Sequence, residues 1–305
     1  MTATGATPQE PSSASVDDEN PWPGLASYQE TDSRFFQGRE RQIEALNELV
    51  HRERLTVLFG MAGLGKTSLL RAGLFPKLRE RDELPVLVRL RFDPAAGTLR
   101  HQVFEAISRA AEEAGIEAPP CSESETLWEF FHRVETNFWS PRNRLTTPVL
   151  VVDQFEEIFT VGRHREGTEG FLEELSNLVE GRPSAALKAQ LDAVPTEARR
   201  FDFGHHRYRV LLSLREDFLA ELEGLRARMP SSAHNRMWLR PMDGEAALLV
   251  VDQTKGRLIS TEIARAVVQV ASESAASFLD GSASTSSTLR PTEIRCTVMP
   301  APQTA

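Results

Sequence analysis

An octapeptide of the form G-x-x-x-x-G-K-T occupies residues 60–67 and constrains the fold more than any other feature of the chain. A short apolar run, residues 55–59, ends at its first glycine, and a helix-forming run begins at its lysine. This order predicts a strand, a loop and a helix. Gly60, Gly63 and Gly65 allow backbone N–H groups to surround a phosphate, because no Cβ stands in the way. The segment is therefore predicted to bind the phosphates of a nucleotide.

The residues that close the loop have the chemistry that a nucleoside triphosphate with Mg²⁺ requires. Lys66 is expected to reach the β- and γ-phosphates, and Thr67 to bind Mg²⁺ through its hydroxyl. Ser68 follows at the helix start, where the helix dipole favours an anion. A glycine-rich turn formed by chance is the alternative, and the correct pattern on both flanks disfavours it. The sequence has no Asn-Lys-x-Asp stretch to recognise guanine, so ATP and ADP are the expected ligands.

Strand-like and helical patterns alternate along the chain. Strands are predicted at Leu55–Phe59, Pro85–Arg91, Pro148–Asp153, Tyr208–Leu214 and Arg236–Arg240. Helices are predicted at Arg41–Arg54, Lys66–Arg81, Thr98–Ala114, Glu123–Phe138, Gly170–Val179 and Glu216–Arg228. The strands are apolar on both faces, which is typical of a parallel sheet covered by helices, so an α/β fold is expected. A polar stretch at Gly181–Arg200 is expected to be partly mobile.

A second nucleotide-binding motif is predicted where an apolar strand ends at Asp153. In P-loop folds such a strand delivers its carboxylate beside the Mg²⁺ held by the loop threonine, so Asp153 is a candidate metal ligand together with Thr67. Glu156 and Glu157 follow the strand and could orient a water molecule against the γ-phosphate. The alternative is that they form the acidic first turn of a helix. Of the two, Glu156 is favoured for the catalytic role.

Arg215 directly follows the predicted strand at residues 209–214. Ligands of open α/β sheets bind at the carboxyl ends of the strands. If this strand lies between the loop strand and the Asp153 strand, Arg215 would sense the γ-phosphate or pair with Glu156 or Glu157. A surface arginine at a strand–helix turn is an equally good interpretation, because the placement depends on an analogy of fold.

Segments outside these motifs complete a pattern that resembles the novel STAND NTPase 1 family, a bacterial group of signalling ATPases related to AAA+ and NACHT domains. The resemblance covers residues 20–247. Its motifs are specific in combination, and only the P-loop would be specific by itself. The segments that carry it are Asn20–Leu25, Phe35–Glu40, Gly60–Thr67, Val149–Glu157, Leu212–Asp217 and Leu239–Met242 followed by Asp243 and Glu245.

This resemblance implies a five-stranded sheet in the order 5-1-4-3-2 and a switch driven by ATP and ADP. It also implies that Gly38 and Arg39 lie near the adenine and the ribose, although these residues would equally suit the first turn of a helix. Members of the family usually continue into a winged helix and long repeats. Here the helical patterns stop near Ser274, so the chain is interpreted as truncated after the NTPase core or as a stand-alone module.

Composition completes the predicted domain layout. Residues 1–20 and 276–305 are rich in small and polar residues and are expected to be disordered. Residues 21–242 are expected to form the NTPase core, and residues 243–275 a partial helical lid.

The overall charge and the cysteine usage restrict the partners. The formal charge is −9 with no long basic block, so nucleic acid and anionic membranes are not favoured as partners. The two cysteines, Cys121 and Cys296, lie far apart, which disfavours a disulfide or a zinc site and fits a reducing cytoplasm. No signal peptide or membrane-spanning run is recognisable.

Three functions remain open from the sequence. The first is a signalling switch in which ATP binding drives self-association or partner binding and slow hydrolysis resets it. The second is an AAA+-like motor, which the acidic composition disfavours. The third is a non-hydrolysing interaction module that binds a nucleotide structurally.

Overall fold

The computed structural model describes residues 16–250 except 123, 205, 206, 245, 248 and 249. Most of the predicted N-terminal tail, most of the predicted lid and the whole C-terminal tail lie outside these residues. The chain forms two compact units. The smaller unit contains the described residues up to Glu40, Thr67–Gly73 and those from Pro241, and the larger contains Arg41–Lys66 and Leu74–Arg240.

The larger unit is built on a six-stranded sheet. Its strands are β1 (Leu55–Gly60), β2 (Glu83–Val88), β3 (Phe138–Trp139), β4 (Leu145–Val152), β5 (Arg209–Arg215) and β6 (Arg236–Trp238). The α-helices described in the chain are α1 (Glu40–Arg52), α2 (Lys66–Ser68), α3 (Phe75–Glu80), α4 (Leu99–Ala114), α5 (Leu127–His132), α6 (Thr168–Glu180), α7 (Ala185–Ala193) and α8 (Leu219–Gly224).

The sheet has the topology of an open α/β fold. Five strands run parallel in the order β2-β4-β5-β1-β6, and the two-residue strand β3 pairs antiparallel with β4. Counted along the parallel strands alone, this is the predicted order 5-1-4-3-2, so the predicted α/β fold is confirmed. Strand β3 was not predicted. Because the five strands are parallel, their carboxyl ends meet at one edge of the sheet.

Apolar side chains on both faces explain why these strands lie inside the molecule. Val210, Leu211, Leu212 and Leu214 of β5 are all buried. Val210, Leu212 and Leu214 belong to a core that also includes apolar residues of α4 and α6. A strand that is apolar on both faces is stable only between two covering layers, which favours parallel pairing.

The helix after the loop at residues 60–67 is not a uniform α-helix. It runs from α2 through a π-helical segment, Leu69–Leu74, into α3. Pro76 occupies the first turn of α3. Proline has no N–H and therefore cannot donate a hydrogen bond to a carbonyl of the preceding turn. The π-helical segment lies directly before this proline, where the regular α-helical hydrogen bonding is interrupted.

The helix predicted at Glu123–Phe138 is wrong over most of its length. Only α5 is helical. Thr126 caps its N-terminus, and the side chains of Thr126 and Glu129 form a reciprocal capping box. The chain then becomes extended, and Phe138 enters β3. The hydroxyl of Thr136 donates to the carbonyl of Phe130, which stabilises the turn after the helix. A short helix with strong apolar periodicity cannot be distinguished from a long one when the next residues are also aromatic.

The polar stretch predicted to be partly mobile at Gly181–Arg200 is instead ordered. It contains α7 and a 3₁₀-helix, Pro195–Arg200. The Ser184 hydroxyl accepts a hydrogen bond from the backbone N–H of Leu187 and caps α7. Leu187 is buried in a small cluster with Trp128 and Phe201. Leu191 of the same helix packs against this cluster, so apolar contacts hold a helix in a stretch that was expected to be mobile.

The close approach of β6 to β1 requires glycine at position 60. A Cβ added at Gly60 would lie 2.5 Å from the carbonyl oxygen of Leu239. That backbone is fixed, since the N–H of Leu239 donates to the carbonyl of Phe59 over 2.8 Å.

We expect Gly60→Ala to lower the free energy of unfolding by about 1–3 kcal/mol, because the added methyl group must push a paired strand away. Urea unfolding would measure the change. The control is Gly224→Ala, whose added Cβ meets nothing within 4 Å and should cause no loss. Equal stability of the two variants would contradict this account.

Candidate nucleotide-binding site

The loop at residues 60–67 connects β1 to α2 at the carboxyl edge of the sheet. Gly63 and Gly65 have φ values of +78° and +83°, a backbone region that side chains with a Cβ rarely adopt. Neither glycine would meet another atom within 4 Å if a Cβ were added. These two positions therefore require glycine for backbone conformation rather than for space, as a loop that turns its N–H groups inward does.

Lys66 folds back over the loop. Its Nζ donates to the carbonyl oxygens of Gly60, at 2.8 Å, and Met61, at 2.9 Å. Burial lowers the pKa of the Lys66 ammonium, and the charges of Glu156 and Asp153 act in the opposite direction. The structure therefore brings the lysine of the first motif close to the acids of the second.

Asp153 is the most deeply buried charged group at this edge, with its side chain 1% exposed. It follows β4, and its backbone N–H donates to the carbonyl of Val88 at the end of β2, over 3.0 Å. Arg89, the next residue after β2, has Nη2 3.5 Å from a carboxylate oxygen of Asp153. The sequence analysis missed Arg89. Arg89 lies inside the strand predicted at Pro85–Arg91, so the sequence carried no signal for it. Only the earlier end of β2 at Val88, together with the pairing of β2 with β4, places Arg89 at the site.

Glu156 and Glu157 lie in a 3₁₀-helix, Phe155–Phe159, that starts directly after the Asp153 turn. Gln154 makes the turn with φ +57°, and the buried Phe155 anchors the segment in the core. Glu156 accepts a hydrogen bond from the backbone N–H of Arg215 at 3.3 Å. The two acids therefore occupy the first turn of a helical segment and also lie at the site, so the two interpretations of these residues are compatible.

Arg215 lies at the end of β5, and β5 lies between β1 and β4, which is the placement that its predicted role required. It pairs in register with Gly60. Its guanidinium, however, forms an ion pair with Asp217. The predicted contact with Glu156 is made by the Arg215 backbone and not by its side chain.

Strand β6 contributes a group that the sequence analysis did not identify. The indole Nε1 of Trp238 donates to a carboxylate oxygen of Glu216 over 2.7 Å. The ring is stacked on that of Phe59, with centroids 6.4 Å apart, and the Arg240 guanidinium lies 4.5 Å from its centroid. Glu216 is one of the charges that act on Lys66. The edge strand therefore fixes an acid beside the phosphate loop.

Four predicted site residues belong to the smaller unit. Gly38 has φ +78°, and a Cβ there would collide with the side chain of Val250. Arg39 is almost fully buried. The Ser68 hydroxyl accepts a hydrogen bond from the backbone N–H of Tyr28 at 3.2 Å. The roles predicted for Gly38, Arg39, Thr67 and Ser68 stay predictions.

The donor chemistry of the second motif fits Mg²⁺. Asp153 offers a carboxylate oxygen, and Mg²⁺ prefers oxygen ligands supplied by one or two carboxylates together with phosphates and water. Among the residues that the structure describes, no cluster of three or more His, Cys, Asp or Glu side chains forms an all-protein metal site.

The environment of Glu157 predicts a pH dependence of stability. Burial raises the pKa of Glu157 above its ordinary value of 4.5, the Glu156 charge adds to this, and Arg89 opposes it. The folded state therefore keeps this proton to a higher pH than the unfolded chain does. The stability linked to Glu157 is accordingly highest below about pH 4.5 and falls as the pH rises through the folded-state pKa.

We expect Glu157→Gln to melt at a higher temperature than the wild type at pH 7, with a difference that shrinks towards pH 4.5. Thermal unfolding across this range would measure it. Glu166→Gln, on the exposed loop that follows, is the control and should show no such trend. A constant difference at all pH values would contradict the assignment to the Glu157 carboxyl.

Comparison with known proteins agrees with this architecture. The Walker-type ATPase of Pyrococcus abyssi is similar with a TM-score of 0.51 at 14% identity, over 80% of this chain and 65% of that chain. The ORC2 protein of Aeropyrum pernix in its ADP form has a TM-score of 0.49 at 14% identity, over 77% and 58% of the two chains. The chain spans less than two thirds of the length of either structure. At 14% identity the likeness to the Pyrococcus abyssi ATPase concerns the fold alone. No curated protein matches the chain.

A glycine-rich phosphate loop on a parallel sheet ordered 5-1-4-3-2, with an acid at the end of a nearby strand, defines a P-loop NTPase. The chain is of the type shared by STAND and AAA+ proteins. It belongs to the novel STAND NTPase 1 family, whose model matches residues 21–278. The expected resemblance is thereby confirmed.

The described residues contain no helix with the length and apolar character to cross a bilayer. The expectations of a cytoplasmic location, of self-association and of no nucleic-acid partner stay predictions.

Proposed function

We propose that this protein is an ATP-dependent signalling switch that hydrolyses ATP slowly, in bacterial signalling or defence. Its ATP-bound form would associate with itself or with a protein partner, and hydrolysis to ADP would end that state. The observation that carries the proposal is the meeting of Lys66, Asp153 and Glu156 at one edge of the sheet in a member of this family.

Each residue has a role that follows from its chemistry. Lys66 would neutralise the β- and γ-phosphates, after exchanging its bonds to the loop carbonyls for bonds to phosphate oxygens. Thr67 and Asp153 would hold Mg²⁺, which supplies charge neutralisation to the phosphates when it is bound. Gly60, Gly63, Gly65 and Ser68 would contribute N–H groups and the helix start, and Gly38 and Arg39 would contact the base and the ribose.

Glu156 would orient the attacking water. Its carboxylate accepts a hydrogen bond from the backbone N–H of Arg215, which holds it at the end of β5. Its charge also interacts with that of Lys66. Phosphoryl transfer depends mainly on positioning and electrostatics, so a fixed acceptor beside the phosphates is the group that hydrolysis requires. Arg215 would change from its Asp217 partner to the γ-phosphate and so report whether ATP or ADP is bound.

The switch is tested by measuring the assembly state in each nucleotide. Size-exclusion chromatography with light scattering would compare the protein in ADP and in a non-hydrolysable ATP analogue, both with Mg²⁺. A larger species in the ATP analogue alone is expected. No change in mass would favour a structural nucleotide-binding module, and fast ATP turnover stimulated by a partner would favour a motor.

A further inference from the structure

We propose that Arg89 is a positioning residue of the nucleotide site: it is the counter-ion of Asp153 when no divalent cation is bound, and it sets how strongly Mg²⁺ and ATP binding are linked. The inference rests on the proposed function, because it assigns Asp153 to the Mg²⁺ site. Arg89 itself would contact neither the metal nor the reacting atoms.

The fold places the two side chains next to each other. Strands β2 and β4 pair in parallel, with Val88 opposite Val152, so residues 89 and 153 both follow directly at the carboxyl edge. The backbone bond from Asp153 to the Val88 carbonyl holds this register one residue beyond the strands. The Arg89 guanidinium then lies 3.5 Å from the carboxylate.

Burial makes this pairing necessary. The Asp153 side chain is 1% exposed, and an ionised carboxylate removed from water is strongly unfavourable unless a cation compensates it. The Arg89 charge also acts on Glu157, so it faces two acids of the same motif. An arginine keeps its charge at every accessible pH, and it therefore supplies this compensation permanently.

Arg89 and Mg²⁺ would compete for the same carboxylate. The Arg89 side chain is 36% exposed, so its guanidinium can turn towards solvent when a divalent cation takes its place. Removal of the Arg89 charge leaves the acids with less compensation. ATP binding without Mg²⁺ should then weaken, since the triphosphate meets carboxylates with less positive charge beside them, and Mg²⁺ should bind more readily.

The experiment measures the dissociation constant of a fluorescent, non-hydrolysable ATP analogue in EDTA and in Mg²⁺. The dissociation constant in EDTA divided by that in Mg²⁺ expresses how much Mg²⁺ aids binding. In Arg89→Gln this ratio should rise by about tenfold over the wild type, and in Arg89→Lys, which keeps the charge, it should stay within about threefold. Arg91→Gln removes an exposed arginine two residues along and is the matched control, with an unchanged ratio.

Asp153→Asn tests whether Arg89 acts through Asp153. In that background, Arg89→Gln should produce no further change in the ratio. The proposal is overturned if Arg89→Gln leaves the ratio at the wild-type value, shifts it no more than Arg91→Gln does, or shifts it equally with and without Asp153.

A folding measurement keeps the proposal testable if Arg89→Gln is poorly folded. The single variant should then melt lower than the wild type by about 3 °C or more, and adding Asp153→Asn should restore the melting temperature, because the carboxylate charge that lost its Arg89 partner is gone. A double variant that melts no higher than Arg89→Gln would refute the counter-ion role. Failure of the wild type to bind the ATP analogue would instead refute the proposed function, which separates the two outcomes.

Discussion

Replacement of Lys66 by alanine is expected to weaken ATP binding by about a hundredfold, since charge-assisted hydrogen bonds to phosphate oxygens are lost. The Lys66 Nζ is bonded to two loop carbonyls, so the ammonium already lies at the site and needs only to exchange partners. Burial lowers the pKa of Lys66, which means that the ammonium has lost part of its hydration and would gain a partner in a phosphate oxygen.

Titration with a fluorescent ATP analogue would measure the loss for Lys66→Ala, with circular dichroism to verify that the variant is folded. Lys77→Ala is the matched control, because Lys77 lies on the surface of α3 and pairs only with the nearby Glu80 among the contacts described. Unchanged affinity of Lys66→Ala would overturn the assignment of the whole site.

Replacement of Glu156 by glutamine is expected to reduce ATP turnover by about a hundredfold while ATP affinity changes little. The amide keeps the size of the side chain and removes the charge that orients and accepts a proton from water. Glu156 is the acid whose carboxylate is fixed by the Arg215 backbone and whose charge acts on Lys66. Glu157 has a raised pKa and faces Arg89, so its replacement should affect turnover less.

Single-turnover hydrolysis of ATP would distinguish the two acids, with binding measured in parallel. The double variant Glu156→Gln with Glu157→Gln should retain bound ATP without hydrolysing it. Glu166→Gln, whose residue is exposed on the following loop, should behave as the wild type. If Glu157→Gln alone abolishes turnover and Glu156→Gln does not, Glu157 is the residue that positions the water.

Local patterns were sufficient to predict the fold class. These patterns are the glycine spacing of the phosphate loop and the strands that are apolar on both faces. Both are properties of residues that lie close together in the chain. The order of the parallel strands came from the family resemblance. The same local approach failed at Glu123–Phe138, where aromatic residues continue past the end of α5, and at α7, whose fixed position depends on Leu187 packing against Trp128 and Phe201.

The charges at the site could be predicted only in part. The acids after β4 are adjacent in sequence, so their chemistry is visible without a structure. The pairing of Arg89 with Asp153 and that of Trp238 with Glu216 join distant segments. The first depends on the pairing of β2 with β4, and the second on the position of β5 and β6 on either side of β1. The side chain of Arg215 shows the same limit, because its position in the sheet was predictable and its Asp217 partner was not.

The sequence alone therefore determined that this chain has a phosphate loop, an acid-tipped strand and an α/β fold, because these depend on local spacing and apolar periodicity. Only the tertiary structure decided which cation compensates which acid. That outcome depends on strand order and register, since parallel pairing brings residues such as 89 and 153 together at one edge although many residues separate them in the chain. The energy of an electrostatic interaction depends on the distance between the two charges, and the fold sets that distance.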